Sequence, residues 1–442
     1  MENNINNLLN NSNYKILDIK NETKILYDII FQFCEDNNIL VYNTNFNISH
    51  IKNIKYKLDD INNDFIFILF SDSPKTHAVN LVDIIYNRYS KYVFYTLSLN
   101  YKEIIISIDN NRTIYFNLLF SPDVDYKSKF NIIEYKNLEI YNKNISLISN
   151  EILLLFMTHK LYKPEIFIKL INNNTLMDYK NNKIEEDNIN KLTDIEKYVI
   201  ILKKILYKKQ IIDSSNIINR TKYNIISSFM NEVSKLEICK YVILLDNIAI
   251  DILSNEKINY NNTLNIIIQN NSKSNNFNNI QYILDILKDI LKKSKIEYNK
   301  LAYNKSNIYV YNDFRLKKTN IFMMSKDNKK ISLINVFNST DYELIPIIQT
   351  YNKFKIPHEF VIIRFLLINL LSSKLYDQHF SMNTYNSYIS NIYKLYNLNI
   401  KYDKIFYTGI FRDEKLDKFQ MGMNVIRPLQ QKLKSIKENN II

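Results

Sequence analysis

Three aspartates stand where an apolar run meets a turn. Asp72 follows the run Asp64–Phe70, while Asp123 and Asp125 follow the Ser121-Pro122 pair that closes the run Thr113–Phe120. Carboxylates gathered at the ends of neighbouring strands can build a metal-dependent active site, with Asp64 at the other end of the first run. Turn chemistry accounts for the same residues more simply, because acids in turns accept hydrogen bonds from backbone amides. Two basic clusters suit a second kind of chemistry. Lys203, Lys204, Lys208 and Lys209 flank Tyr207, and Arg315, Lys317 and Lys318 follow the aromatic run Tyr309–Phe314. Cations beside exposed rings can hold phosphates and stack bases of single-stranded RNA. An ordinary solvated helix face in a Lys-rich chain is the competing reading. His50, His77, His159, His358 and His379 are scattered and form no metal or nucleophile motif. Cys34 and Cys239 are far apart, with no CxxC, and read as two buried thiols in a reducing compartment.

The elements that must position these residues are constrained by composition. The chain has 442 residues, 46% hydrophobic and 13% aromatic, with 58 Lys and Arg against 45 Asp and Glu, a net charge of +13. That is enough apolar material for two or three domains, and enough positive charge to favour nucleic acid as partner. Both glycines, Gly409 and Gly422, lie near the C-terminus. The first 408 residues therefore hold no P-loop, GxGxxG turn, GxSxG elbow or kinase phosphate loop, all of which need backbone without a Cβ. The abundant Asn, Ile, Lys, Tyr and Phe are those that AT-rich codons encode, so part of the Lys excess reflects codon bias. Met1–Asn13 has no apolar signal core, and Phe360–Leu371 is interrupted by Arg364 and Asn369. A cytoplasmic protein with no membrane partner is expected.

Periodicity predicts a helix over 22–40, a buried strand at 64–70, a helix at 77–89, strands at 92–99 and 104–108, a hairpin turn at 110–112, and a strand at 113–120. Helices are expected at 152–160, 164–172, 194–209 and 217–229, with a charged linker at 179–190. The pattern then recurs: strands at 241–245 and 263–268, an amphipathic helix at 280–293, and strands at 308–311, 321–324 and 331–337. Residues 357–396 read as mostly helical, and 397–442 as a basic tail. The expected class is α+β, a unit repeated twice and followed by a helical C-terminal region. The boundaries expected are 1–178, 191–345 and 346–442.

The turn Ser71-Asp-Ser-Pro74 and the helix segment His77-Ala-Val-Asn-Leu-Val-Asp83 resemble the polyadenylate polymerases of large DNA viruses, in the nucleotidyltransferase superfamily. Ser71, Pro74, Val79 and Leu81 match, whereas Asn80 stands where that family has an acid. Ile114–Pro122 resembles the family's third-carboxylate strand. In the second copy, Asn259–Asn270 resembles the metal-binding strand and its turn, and Ser332–Asn338 the third-carboxylate strand. The resemblance covers most of residues 40–345. It implies a fold in which three carboxylates on two strands hold two divalent metals, and a Gly-Ser turn meets the triphosphate.

Where the resemblance would place those carboxylates, this chain has Ile66, Ile68 and Asn117 in the first copy and Thr263, Asn265 and Asn335 in the second. Neutral ligands cannot offset two clustered dications. The implication is a nucleotidyltransferase fold without nucleotidyl transfer, with no metal and no cofactor. Degenerate relatives of these polymerases include the toxin-immunity proteins of linear killer plasmids in yeasts, and this sequence is similar to them in composition, in the doubled fold and in its lost ligands. That resemblance implies protection of transfer RNA from a plasmid-encoded anticodon nuclease, by binding the RNA or the toxin. Two other functions remain open. One is a divergent active polymerase using Asp72, Asp123 and Asp125; the other is an interaction scaffold, as a homodimer or as the partner of an active polymerase.

Overall fold

The computed structural model describes residues 24–53, 65–89, 94–97, 103–109, 112–117, 133–135, 144–161, 192–207, 219–268, 279–309, 315–339, 344–377, 380–398 and 406–409. The chain divides into two compact units, Met1–Leu153 with Glu185–Thr193, and Leu154–Ile184 with Asp194–Ile442. The helix expected at 164–172 and the linker at 179–190 lie outside the described residues, as does the tail after Gly409.

In the first unit α1 (24–36) buries Leu26, Ile30 and Phe33 and leaves Ile25 48% exposed. It stops short of residue 40 because Asn38 turns left-handed, at φ 51°, and the Ile39 amide donates back to the Cys34 carbonyl at 2.9 Å. The strand β1 (Leu40–Tyr42) and the helix α2 (Thr44–Lys52) follow; the Asn43 side chain caps α2 by accepting from the amides of Asn45 and Phe46. Next come β2 (Phe65–Phe70), α3 (Pro74–Tyr89), β3 (Phe94–Leu97), β4 (Glu103–Asp109), β5 (Arg112–Asn117), β6 (Ile133–Tyr135), β7 (Ile145–Leu147) and α4 (Asn150–Leu161), whose residues after Leu153 are counted with the second unit. Pro74 opens α3, where its missing N–H has no partner to lose. The sheet order is β3-β4-β5-β2-β1-β7-β6.

The run Phe65–Phe70 alternates between two faces. Phe67 and Leu69 are buried, and the Phe67 ring lies 5.2 Å from Tyr27 and 5.6 Å from Phe31 of α1. Phe67→Ala is expected to cost about 3–5 kcal/mol by opening a cavity under α1. The urea midpoint of the first unit reads this; an unchanged midpoint would mean that the helix and sheet do not fold together.

The second unit contains α5 (Asp194–Tyr207), α6 (Arg220–Lys235), β8 (Val242–Leu245), α7 (Asp246–Leu253), β9 (Leu264–Ile268), α8 (Asn279–Lys293), β10 (Tyr298–Tyr309), β11 (Arg315–Ser325), β12 (Lys330–Ser339), β13 (Leu344–Tyr351), β14 (Phe354–Pro357), α9 (Glu359–Tyr376), α10 (Met382–Asn397) and β15 (Phe406–Gly409). Its sheet order is β10-β11-β12-β9-β8-β14-β13-β15. The first seven positions repeat the first sheet strand for strand, with the same alternation of parallel and antiparallel pairs. The repeat thus begins before β2 and β9, with a short strand and helix, and extends past residue 345 through the pair β13–β14. Strands β10 to β12 are longer than the three short ones expected. Their outer ends are rich in Asn, Lys and Ser, so hydrophobic alternation fades before the hydrogen bonding does.

Asparagine takes the positions that glycine fills elsewhere. Of the eight non-glycine residues at positive φ among the described residues, five are asparagines: Asn38, Asn53, Asn255, Asn328 and Asn352. Its short amide tolerates the left-handed region at turns and helix ends. Among the described residues no helix is long and apolar enough to cross a membrane.

Candidate functional site

The two faces of β9 have different tasks. Leu264, Ile266 and Ile268 line a small apolar cavity with Phe229, Val233 and Ile283, from α6 and α8. Asn265 points to the opposite face. Register places Asn265 beside Asn335 of β12, and Asn335 beside Asn320 of β11, which pairs with Asn304 of β10. Cross-strand partners share a face. Four adjacent strands therefore carry one row of four asparagines.

The row is hydrogen-bonded in one direction. Asn320 donates to Asn335 Oδ1 at 2.8 Å, Asn335 donates to Asn265 Oδ1 at 2.8 Å, and Asn265 donates to Asp246 Oδ2 at 2.7 Å. At the inner end the residues are enclosed, with Asn335 at 8% and Asp246 at 9% exposure, whereas Asn304 is exposed at the outer end. Asp246 holds a left-handed backbone, φ 59°, at the first residue of α7. Its second oxygen, Oδ1, is buried without a hydrogen-bond partner among the described residues. Burial pushes the carboxyl up from 3.8 to about 6, opposed by the Asn265 amide and by the Lys318 charge. Burial lowers Lys318 in turn, with Asp246 acting against it and Lys330 reinforcing it. Burial also pushes up the Tyr388 phenol of α10, and the Asp246 charge adds to this.

Next to the row, Lys222 of α6 donates to Thr263 Oγ1 at 3.0 Å, and Thr263 donates to the Ser332 carbonyl at 3.4 Å. Burial lowers Lys222. Of the residues picked out in the sequence, Asn265 and Asn335 are hydrogen-bonded neighbours on one face, while Thr263, just before β9, reaches Lys222 and the Ser332 carbonyl. Sequence reasoning missed Asp246, Asn304 and Asn320. An aspartate opening a short isoleucine-rich helix was the available signal for the first, and the alternation of polar residues on long strands for the other two.

The first sheet is apolar at the matching place. Asn117 stands beside Phe70, and Tyr115 is the residue beside Ile68, so the register puts Tyr115 rather than Asn117 where Asn335 stands in the second sheet. The resemblance of Ile114–Pro122 to a third-carboxylate strand points to Asn117, two residues further on. Asn117 is buried with its Oδ1 unpartnered among the described residues, and its carbonyl accepts from the Ser71 amide at 3.0 Å. The Ile66 side chain lies outside the described residues. Ser71 organises the turn before α3: its hydroxyl accepts from the Ser73 amide at 2.9 Å and bonds His77 Nδ1 at 2.5 Å. Asp72 is exposed in that turn, while Asp64, Asp123 and Asp125 lie outside the described residues.

Of the basic clusters, Lys203 and Lys204 are half-buried on α5 with Tyr207 89% exposed at its end; Lys208 and Lys209 lie outside the described residues. Lys318 is half-buried on β11, next to Arg315 and Lys317, whose side chains are not described. Both thiols are buried and free, and burial pushes each up, Cys239 to about 11. His358 caps α9 by accepting the Phe360 amide.

The two sheets with their flanking helices form an α+β fold of nucleotidyltransferase-like units. It is similar to the crystal structure of the Megavirus polyadenylate synthase, at 16% sequence identity and a TM-score of 0.59, over 94% of this chain and 78% of that one. No family model and no curated protein sequence matches this chain. The resemblance read from the sequence implies a pair of divalent cations, and the donor set of the second sheet does not fit them. The oxygens of Asn265 and Asn335 already accept from neighbouring amides, and Asp246 is the one carboxylate in the row, with Lys318 near it. Hard dications need several anionic oxygens. Among the described residues no three His, Cys, Asp or Glu gather into a metal-binding group.

Proposed function

We propose that this chain is a cytoplasmic RNA-binding protein with a polyadenylate-polymerase-like fold that transfers no nucleotide. Its role would be that of an immunity protein, guarding transfer RNA from a plasmid-encoded anticodon nuclease. One observation carries the first part: an asparagine row, its inner members hydrogen-bonded in sequence to Asp246, occupies the strands where the resemblance calls for carboxylates. The net charge of +13 supports a polyanionic partner. The immunity role rests on the resemblance to killer-plasmid proteins described above.

Incubation with an oligoadenylate, ATP and Mg²⁺ or Mn²⁺ is expected to give no tail growth, while transfer RNA binds and is released steeply as salt rises. In cells that express an anticodon nuclease, co-expression is expected to leave transfer RNA uncut. Tail growth lost in Asp72→Ala or Asp123→Ala would establish the polymerase instead. Protection through a stable complex with the nuclease, without RNA, would establish the interaction scaffold.

A further inference from the structure

The asparagine row is one of four cross-strand rows on the same face of the second sheet, and lysines stand in the first and fourth of them. Lys300, Met324 and Lys330 form the first; Ala302, Phe322 and Ser332 the second; Asn304, Asn320, Asn335 and Asn265 the third; Ser306, Lys318, Phe337 and Ile267 the fourth. Ser332 reaches Asn320 in a long 3.5 Å contact, which joins the second row to the third across the bulge in β12. On the edge strand β10 Lys300, Asn304 and Ser306 are exposed, as is Lys330 at the start of β12. The Lys330 ammonium is 4.4 Å from the centre of the Phe322 ring, which holds it over the face. The Asn304 side chain is exposed at the outer end of its row, so its amide can pair outward.

Positive charge is concentrated in these strands, and three of their lysines, Lys300, Lys318 and Lys330, stand on this face. Residues 298–339 contain eight Lys and Arg against two Asp, a net +6 out of the chain's +13, in under a tenth of its length. The ratio is four to one, against 58 to 45 for the whole chain, so codon bias toward Lys does not explain it.

We propose that single-stranded RNA lies across this face, with phosphates on Lys300, Lys330 and Lys318 and base edges on the outer asparagines, and with no divalent cation in the contact. The proposal rests on the RNA-binding reading above and specifies the surface and the class of RNA. Amides both donate and accept, which suits base edges, and those edges are free only in unpaired RNA. Lysines supply the positive charge that metal ions supply in a nucleotidyltransferase.

The test is fluorescence anisotropy in EDTA, with a fluorescein-labelled single strand of mixed sequence and a blunt duplex of the same sequence. The single strand is expected to bind the full-length protein more tightly than the duplex. In Lys300→Gln/Lys330→Gln the plot of log affinity against log salt should be shallower by about 1.4, because two phosphate contacts are lost, and binding at low salt roughly tenfold weaker. Asn304→Leu should weaken binding without changing the salt slope. These residues are exposed, so thermal melts of the variants should match the parent. An unchanged slope in the lysine variant, equal binding of duplex, or loss of binding in EDTA would each overturn the proposal. Should Lys203→Gln/Lys204→Gln alone abolish binding, the surface lies on α5 and the RNA reading survives. If the parent binds no RNA of either kind, that reading fails too.

Discussion

Asp246→Asn is expected to make the protein more stable at pH 8, by about 2–3 kcal/mol. Burial raises the folded-state carboxyl from 3.8 to about 6, so between those values the folded chain holds a proton that the unfolded chain has released. Stability therefore falls as pH rises through that window. Above it the native state carries the full cost of a buried charge, about 1.4 kcal/mol for each tenfold change in proton affinity. Asparagine removes the charge, keeps an oxygen for the Asn265 amide and tolerates the left-handed backbone at φ 59°. Thermal melts across pH would show this. The variant should melt roughly 4–8 °C higher at pH 8, with the gain about halved near pH 5 and well under about 1 kcal/mol near pH 4. A gain that is the same at every pH would mean that the Asp246 carboxyl titrates normally.

Asn265→Asp is expected to do the opposite, costing about 3–5 kcal/mol at pH 8. The substitution replaces the donor to Asp246 with a second carboxylate at the same 2.7 Å separation, and two like charges so placed cannot both ionise. One proton shared between them relieves the repulsion. The pair's protonation is thus favoured in the folded state, and the lost stability returns as pH falls toward about 5. Mn²⁺ should stabilise Asn265→Asp, where paired carboxylates can hold a cation, and should leave the melting temperature of the parent unchanged. Denaturant titrations with and without Mn²⁺ read both effects. A variant as stable as the parent at pH 8 without metal would show the row to be open to water. Stabilisation of the parent by Mn²⁺ would show that its amide row accepts a dication after all.

Much of the local structure was legible in the residues. The apolar runs at β2 and β9, the amphipathic faces of α3 and α8, and the recurrence of one pattern in both halves lead to a duplicated α+β architecture. Thr263, Asn265 and Asn335 could be picked out because a related fold needs charged residues there. The ends of elements were less legible. Glycine and proline usually mark them, and in this chain α1 ends instead at Asn38, an asparagine like dozens of others in the sequence. Strand β1 and helices α2 and α7 are too short for a periodic signal, and β10 loses its alternation to lysine and asparagine.

Neighbours across the sheet were decided by tertiary structure alone. Alternation along a strand says which residues share a face, but not which residue of another strand lies beside them; that depends on register, and register depends on bulges and on the packing of both faces. The bulge between Ile321 and Phe322 brings Asn320 level with Asn335, and the antiparallel pairing of β8 with β9 brings Asp246, nineteen residues upstream, to Asn265. In the first sheet the same geometry places Tyr115, not Asn117, beside Ile68. Composition and periodicity determined a repeated α+β architecture, and the resemblance marked the strand positions that lack the acids it implies. Only the folded sheet, by bringing residues up to seventy positions apart within hydrogen-bond distance, joined the asparagines into one row that ends on a buried carboxylate.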